Sequence, residues 1–329
     1  MVAYPVRFDR GVHLPECGVW LDPLRRQDLA VVSHAHGDHI ARHRAVVCTA
    51  PTYRLLTHRV GAGVEPHLLD YGEELAMGDA LVSLHPAGHV LGSSQVLVRH
   101  RGVRILYSGD IRCRAGFTAE PLEHVACDLL VVEATFGHPH YRFPPAPQVV
   151  AEVVAFCRKA LAEGCTPILL AYSLGKAQEV LASLRGSGLR VLLHDRVHAL
   201  VEIYRDLGID LPPAERLTAA SNLAGTVVVV PPHLRGLRAL ERMGPRRTAL
   251  LSGWAVDGAA TLLRLDCDAA FPLSDHGDFD ELLAFVERSG ARRVLTVHGF
   301  AAELAAQLRR RGVDASPLRS NEQLALALA

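Results

Sequence analysis

The chain has 329 residues, of which 35 are basic, 35 are acidic and 49% are hydrophobic, so it carries no formal net charge. A zero net charge excludes a protein-wide attraction to nucleic-acid phosphates, and any such attraction must be local. The start of the chain lacks the features of a signal peptide, and no apolar run approaches the roughly 20 residues of a membrane span, so we expect a cytoplasmic protein.

The first half of the chain alternates short apolar runs with loops, which is typical of an α/β fold. We predict a buried strand in DLAVVS (28–33) that leads into a histidine-rich turn and a short helix. A strand, a loop and a second strand follow in ALVSLHPAGHVLGSSQVLVRH (80–100), and further strands in VRILYSGD (103–110) and DLLVVEATFG (128–137). The proline-rich stretch HPHYRFPPAPQ (138–148) then interrupts regular structure.

Beyond this stretch, strands and helices alternate. A helix is predicted in AEVVAFCRKALAEG (151–164), and a strand followed by a helix in each of 166–186 and 189–208. Strands are predicted in GTVVVVPP (225–232) and RRTALLSGWA (246–255). A short strand, a histidine-containing turn and a helix are then expected twice, in FPLSDHGDFDELLAFVERSG (271–290) and ARRVLTVHGFAAELAAQLRRRG (291–312).

Histidine, and not cysteine, supplies the candidate metal ligands. The seven cysteines show no zinc-finger spacing and are predicted to be free thiols, whereas 18 histidines are many for this length. Because strand ends in a sheet-based fold can converge on one edge, polar residues at these ends are candidates for one site. Those that follow apolar strands are His34, His36, Asp38, His39, His89, Asp110, Glu133, His276 and His298.

The spacing within HAHGDH (34–39) has a direct physical interpretation. In an extended segment, His34 and His36 point to the same side and can bind one cation through imidazole nitrogens. Asp38 and His39 follow at the predicted start of a helix, point elsewhere and suit a second cation.

Residues further along the chain can complete both sites. Two neighbouring cations need an anionic bridge to offset their repulsion, and Asp110 can supply it. His89 can complete the first site and His298 the second. A position is left for a bridging water or hydroxide, as a catalytic metal site requires. The pattern therefore predicts a metal-dependent hydrolase.

The stretch HAHGDH, His89 in GHVLGS and Asp110 in SGD together resemble the metal-binding motifs of the metallo-β-lactamase superfamily. This resemblance implies the αββα sandwich of that superfamily. It also implies that Asp38 accepts a hydrogen bond from the nucleophile in catalysis. The implied ligands form two sets bridged by Asp110: His34, His36 and His89 for metal one, and Asp38, His39 and His298 for metal two.

Later motifs are similar to those of the β-CASP branch, which consists of nucleases with a second α/β domain inserted in the fold. Glu133 in VVEATFG, His276 in LSDHGD and His298 in TVHG resemble its motifs A, B and C. By this resemblance, His276 contacts the scissile phosphate and helps the leaving oxygen depart, and Glu133 orients His276 and favours its protonated form. The implied bounds are 1–145 and 271–329 for the metallo-β-lactamase domain and 146–270 for the inserted β-CASP domain.

Longer stretches resemble the bacterial ligase-associated DNA exonucleases: SLHPAGHVLGSSQV, TFGHPHYRFPP, AYSLGKAQEVL, LSGWA and LSDHGDFDELL. The resemblance implies two zinc or manganese ions and hydrolysis of phosphodiesters. It further implies a DNA exonuclease that trims DNA ends in repair. A functional association with an ATP-dependent DNA ligase and a helicase is expected on the same ground.

The segment AYSLGKAQEV (171–180) lacks the G-x-x-x-x-G-K-[ST] pattern, so nucleotide hydrolysis is not expected. A strand that leads into a helix still offers free N–H groups to a phosphate. On this basis Ser173 and Lys176 are candidates to bind the nucleic-acid backbone. The alternative is that they belong to an ordinary helix start.

Three other functions compete with the DNA exonuclease. A β-CASP ribonuclease that processes RNA ends is the main alternative, because His298 is the residue typical of the RNA-acting enzymes. A small-molecule hydrolase is disfavoured, since residues 146–270 contain too much organised α/β pattern for a loop. An inactive scaffold is disfavoured because every ligand position is filled.

Overall fold

The computed structural model of this chain describes residues 4–234, 244–257 and 266–318. The chain divides into two compact units. The first unit consists of Met1–His140 and His276–Ala329, and the second of Tyr141–Asp275. In the described ranges, no helix is both long and apolar enough to span a membrane.

The first unit contains two sheets. One has six strands in the order β1 to β6, and the other has seven strands in the order β19-β18-β11-β10-β9-β8-β7. The strands of the first sheet are Arg7–Phe8, Val12–Leu14, Val19–Leu21, Leu29–Val31, Ala45–Cys48 and Glu65–Leu68. Those of the second sheet, numbered β7 to β11 and then β18 and β19, are Glu74–Met77, Ala80–Pro86, Ser94–His100, Val103–Tyr107, Leu129–Glu133, Arg293–Val297 and Asp314–Pro317.

The two sheets pack face to face around one apolar core. Leu21 and Val31 of the first sheet lie in it together with Ile105 and Val131 of the second. Alternate residues of the same second-sheet strands, such as Leu130, face the opposite way into another core. Because both faces of this sheet are buried, its central strands are continuous apolar runs in the sequence.

Helices cover the outer face of the second sheet. Phe279–Ser289 (α5) and Ala301–Arg310 (α6) contribute Leu282 and Leu304 to the second core. At the start of α5, Asp278 accepts a hydrogen bond from the Glu281 N–H, and the Glu281 carboxylate accepts one from the Asp278 N–H. This reciprocal cap satisfies two backbone donors and sets the first residue of the helix.

A further helix, Ala50–Val60 (α1), lies beside β6. The Thr49 side chain caps it by accepting from the Thr52 N–H. With the two packed sheets and the helices outside them, the predicted αββα sandwich is confirmed.

The second unit is built on six parallel strands in the order β14-β13-β15-β12-β16-β17. Its central strands are buried throughout, as for β12 and β15. The strands β12 to β17 are Thr166–Leu170, Arg190–Leu193, Glu215–Arg216, Thr226–Val230, Arg246–Leu251 and Ala269–Phe271. The helices α2 to α4 are Ala146–Ala162, Lys176–Ser183 and Asp195–Asp206.

One local prediction is wrong. Residues 37–39 form a turn, with a hydrogen bond from the His39 N–H to the His36 carbonyl (3.1 Å), and no helix follows them. The chain instead runs on to β5, whose pairing begins at Ala45, so the next helix starts only at Ala50. Asp38 and His39 therefore lie in a turn and not at a helix start.

Candidate metal centre

Several strands of the first unit end next to predicted ligands. His34 follows β4 by three residues, His89 follows β8 by three, and Asp110 follows β10 by three. His298 directly follows β18, and Glu133 is the last residue of β11. The strands thus deliver side chains from distant parts of the sequence to the loops at their ends.

Four of the predicted ligands form a tight group: the ligand atoms of His34, His36, His89 and Asp110 all lie within 4.8 Å of one another. His36 Nδ1 is 3.1 Å from His34 Nε2 and 2.9 Å from His89 Nε2. Asp110 Oδ2 is 3.4 Å from His34 Nε2 and 3.6 Å from His89 Nε2. His34, His89 and Asp110 are buried, and His36 is partly exposed.

This donor set fits a divalent cation. A tetrahedral cation at about 2.0–2.1 Å from each ligand holds its ligand atoms about 3.4 Å apart. The four distances given above, from 2.9 to 3.6 Å, lie around this value. Burial and the nearby charge of His39 lower the pKa of His34 well below its ordinary value, so this imidazole is neutral, as a metal ligand must be.

His39 joins the group through Asp110, because its Nε2 lies 3.4 Å from Asp110 Oδ2. Burial opposes a charge on His39, but the Asp110 and Asp22 carboxylates raise its pKa to about 10. Burial likewise opposes ionisation of Asp110, and the positive His39 holds the pKa of Asp110 well below its usual range. A cation bound at His39 Nε2 therefore displaces a proton from that nitrogen.

Asp22 was not identified in the sequence, yet it is a centre of hydrogen bonding beside the ligands. Its carboxylate accepts from the Ser33 N–H (2.7 Å), the Ser33 hydroxyl and the Tyr107 hydroxyl (2.9 Å). His39 Nδ1 lies 2.9 Å from the same carboxylate, and Asp22 is 4% exposed. Since an ionised carboxylate only accepts, His39 donates from Nδ1, which leaves Nε2 as its metal-binding atom.

A sequence signal for Asp22 was present. It directly follows β3, so it is one more acidic residue at the end of a short apolar strand. Asp22 also has a positive φ of 47°, a backbone conformation that is uncommon for residues other than glycine. Its contacts therefore hold it in place.

Asp38 and His298 lie beside the group and not within it. In the described part of the chain, neither belongs to a set of ligand atoms within 4.8 Å of one another. Both side chains are exposed, and the His298 ring is 5.4 Å from the His39 ring. Burial and the nearby charge of His39 lower the pKa of His298. Their assignment to a second metal stays a prediction.

Glu133, which is buried, forms a pair with the partly buried His276. Glu133 Oε1 lies 3.0 Å from His276 Nδ1 and accepts from the Ile111 N–H (2.8 Å), while Oε2 accepts from the Thr135 N–H (3.2 Å). His276 therefore donates from Nδ1 to the Glu133 carboxylate, which fixes the orientation of its ring. The His276 ring is 4.5 Å from the His89 ring, so the pair lies against the metal-binding group.

Two glycines next to ligands are required by close packing. Gly109, which precedes Asp110, has φ 55°, and a Cβ there would lie 2.9 Å from the Ser33 side chain. Gly299, which follows His298, has φ 42°, and a Cβ there would lie 2.3 Å from the Ala134 carbonyl oxygen. These backbone conformations and contacts exclude other residues.

Residues 12–167 match the family model described as the beta-lactamase superfamily domain. The matched segment includes the group of three histidines and Asp110. This segment is a domain of the metallo-β-lactamase superfamily.

Curated relatives of this protein include nucleases and a ligase. A protein of Opitutus terrae named "Probable DNA ligase" is 43% identical over 327 residues, which are 99% of this chain and 32% of that protein. The "RNase J-like protein" of Methanocaldococcus jannaschii is 27% identical and is aligned over 55% of this chain and 50% of that protein. The "DNA cross-link repair protein SNM1" of Arabidopsis thaliana is 27% identical over 49% of this chain and 35% of that protein.

The chain thus spans about a third to a half of the length of these relatives. The predicted resemblance to the nuclease branch of the superfamily is confirmed by them. A solved structure from Enterococcus faecalis V583, titled as a protein of unknown function, matches with a TM-score of 0.57 at 14% identity. The match covers 84% of this chain and 76% of that chain, and it supports the fold alone.

Ser173 and Lys176, the predicted phosphate-binding residues of this protein, lie in its second unit. Lys176 is 2% exposed, and its ammonium donates to the Leu273 carbonyl (2.6 Å) and pairs with Asp275 (3.0 Å). Because a buried ammonium held by a carboxylate is not presented to a phosphate, this geometry argues against a direct phosphate contact by Lys176. Ser173 is partly exposed and keeps its predicted role as a possible contact.

Proposed function

We propose that this chain is a two-metal-dependent phosphodiesterase that acts as a DNA exonuclease and trims DNA ends in repair. The observation that carries the proposal is the 43% identity, over 99% of this chain, to part of a protein named as a probable DNA ligase. A nuclease that prepares ends and a ligase that joins them act on the same substrate. We also propose a functional association with an ATP-dependent DNA ligase and a helicase.

The metal ligands follow from the donor set. His34, His36 and His89 would hold one zinc or manganese ion, Asp38, His39 and His298 the other, and Asp110 would bridge the two. When bound, such a pair of ions lowers the pKa of a bridging water and neutralises charge on phosphate oxygens.

The protein's own residues would supply proton handling and orientation. His276, held through Nδ1 by Glu133, would direct Nε2 at the leaving oxygen and donate a hydrogen bond or a proton to it. Asp38 would accept a hydrogen bond from the nucleophile. Glu133 is itself fixed by two backbone N–H donors, so the His276 ring has a defined orientation.

A ribonuclease is the second candidate, and the relatives named as ribonucleases favour it. Besides the RNase J-like protein, "Ribonuclease TTHA0252" of Thermus thermophilus is 28% identical over 52% of this chain. Matched DNA and RNA oligonucleotides, each labelled at the 5′ or the 3′ end, would be digested with manganese or zinc. Rapid cleavage of RNA with DNA left intact would refute the choice of DNA.

The end label also tests the exonuclease assignment. Successive loss of single nucleotides from one end is expected, whereas internal fragments that appear first would indicate an endonuclease. The matched control is Asp110→Asn, which removes the bridging carboxylate charge and should abolish cleavage of every substrate while the circular dichroism spectrum is unchanged. Full activity of this variant would contradict the metal assignment.

A further inference from the structure

The second unit has a point at which its sheet topology reverses. From β12 the chain passes to β13 on one side of the sheet, and from β16 it passes to β17 on the other side. Because β12 and β16 are parallel neighbours, their connections leave in opposite directions. In open parallel sheets, ligands bind in the crevice outside the carboxyl ends of two such strands.

Two exposed aromatic residues occupy this edge. Tyr172 lies two residues beyond the end of β12 and is 53% exposed, and Trp254 lies three residues beyond the end of β16 and is 37% exposed. Within the described part of the second unit, no other aromatic side chain is exposed. Since Leu170 and Leu250 are partners in register, the two loops leave the sheet from adjacent points.

The backbone of both loops is fixed. The Tyr172 carbonyl accepts from the Ala177 N–H (3.0 Å) at the start of α3. The Ser252 hydroxyl accepts from the Trp254 N–H (3.3 Å), and the Tyr141 ring lies edge-on to the Trp254 ring at 5.4 Å. The backbone of both loops is therefore set before binding, and the Trp254 ring is packed on Tyr141, so binding requires little ordering of the loops.

Polar and basic residues adjoin the aromatic residues of this edge in the sequence. Arg142, which is exposed, directly follows Tyr141, and Ser173 directly follows Tyr172. Lys176 has a structural role. It is the first residue of α3, and its ammonium donates a hydrogen bond to the carbonyl of Leu273, two residues beyond the end of β17. In the sheet, β16, whose loop carries Trp254, lies between β12 and β17. The ion pair of Lys176 with Asp275 therefore connects the loop that follows β12 to the loop that follows β17.

We propose that Tyr172, Trp254 and Arg142 form a binding surface, the aromatic platform, for unpaired bases of single-stranded nucleic acid. The two rings stack on bases, and the Arg142 guanidinium contacts a phosphate. Rings with a π-face and a nearby cation are the combination by which proteins bind single strands without base-specific contacts. The inference rests on the proposed function, which makes a nucleic acid the substrate, and it adds that the substrate is engaged as a single strand.

Tryptophan fluorescence tests the platform directly. The chain has two tryptophans, so Trp20→Phe leaves Trp254 as the sole reporter. In this variant combined with Asp110→Asn, a ten-nucleotide single-stranded DNA should quench Trp254, and an abasic ten-mer of the same charge should not. Equal quenching by the abasic strand, or equal affinity for a blunt duplex, would overturn the proposal.

Affinity measured by fluorescence anisotropy gives the second readout. Tyr172→Ala and Trp254→Ala are each expected to weaken binding of the single strand about tenfold, in keeping with the usual loss of one stacked base. Tyr172→Phe keeps the ring and should keep the affinity. Arg190→Ala, in the same unit and exposed, is the control for Arg142→Ala. Wild-type affinity in Tyr172→Ala and Trp254→Ala refutes the platform.

A substrate without bases separates the platform from the proposed function. Metal-loaded protein should hydrolyse bis(p-nitrophenyl) phosphate, and the control variant Arg190→Ala, which lies outside the platform, should hydrolyse it at the wild-type rate. If wild-type protein cleaves neither this ester nor DNA, the proposed function fails, while the quenching result still decides the platform. If it cleaves both and the platform variants cleave DNA normally, only the platform fails.

Discussion

Asp22→Asn is the sharpest test of how the metal centre is held. In the wild-type protein one carboxylate oxygen of Asp22 receives the Ser33 hydroxyl, the Tyr107 hydroxyl and His39 Nδ1, and the other receives the Ser33 N–H. If the Asn oxygen stays with the Ser33 N–H, its NH₂ group faces the other three partners. The two hydroxyls can rotate to accept, but a donating Nδ1 cannot. His39 must then move its proton to Nε2, the metal-binding atom.

The magnitude follows from these contacts. Loss of a residue that orients a metal-binding histidine typically lowers metal affinity about 10–100-fold, or about 1.4–2.7 kcal/mol. Exchange of the four charge-assisted hydrogen bonds of Asp22 for neutral ones costs about 1 kcal/mol per bond, so the metal-free protein should lose about 4 kcal/mol of its free energy of unfolding. Metal affinity would be measured by competition with a chromophoric chelator, and stability by urea unfolding.

Asp79→Asn is the matched control for Asp22→Asn. Asp79 also faces a histidine, with its Oδ2 2.9 Å from His100 Nε2, but it is not in any of the metal-binding groups found among the described residues. Its replacement should leave metal affinity unchanged. If Asp22→Asn binds zinc as tightly as wild type, Asp22 does not set the proton position of His39, and the reasoning is wrong.

Three further predictions concern catalysis, backbone strain and thiol reactivity. His276→Ala should lower turnover of DNA while metal content, measured by mass spectrometry, stays at the wild-type value, because the proposed role of His276, whose Nδ1 is held by Glu133, is at the leaving oxygen and not as a metal ligand; a halved content would contradict its role. Gly109→Ala should lower the free energy of unfolding by about 1–3 kcal/mol through overpacking against Ser33, more than Gly186→Ala, which has a similar φ and nothing within 4 Å; urea unfolding compares the two. Burial raises the pKa of Cys48 to about 12, so below that pH its thiol stays protonated, and peptide mapping after iodoacetamide at pH 8 should find Cys48 alkylated only in unfolded protein.

That His34, His36, His89 and Asp110 come together could be predicted from the sequence because the information for it is local. Two histidines spaced by one residue reach the same side of an extended chain, and this holds for His34 and His36, whose ring nitrogens approach to 3.1 Å. His89 and Asp110 are each next to a glycine in a loop after a strand, so their position at the sheet edge follows from the strand pattern. The second-sheet strands were found for the same reason, because burial on both faces gives continuous apolar runs.

What the sequence could not provide depends on contacts between distant residues. Asp22 has no motif of its own, and its importance comes from Tyr107, 85 residues later, and from His39, 17 residues later. Lys176 lies at the start of a helix, where a phosphate contact is a reasonable expectation. Its ammonium instead forms an ion pair with Asp275, which lies 99 positions later in the chain. A short helix was expected after the histidine-rich turn, but the pairing of β5 with β4 determines the backbone there.

The division of the chain into two units bears on how its function should be tested. Every predicted metal ligand lies in the first unit, and four of them form one group. A fold and a metal site alone do not define a substrate, so the evidence for nucleic acid must come from elsewhere in the molecule. The second unit, with its parallel sheet and exposed aromatic rings, is the part that a small-molecule hydrolase would not require. Variants that change DNA affinity without changing hydrolysis of a base-free phosphodiester would therefore locate substrate choice in the second unit and bond cleavage in the first.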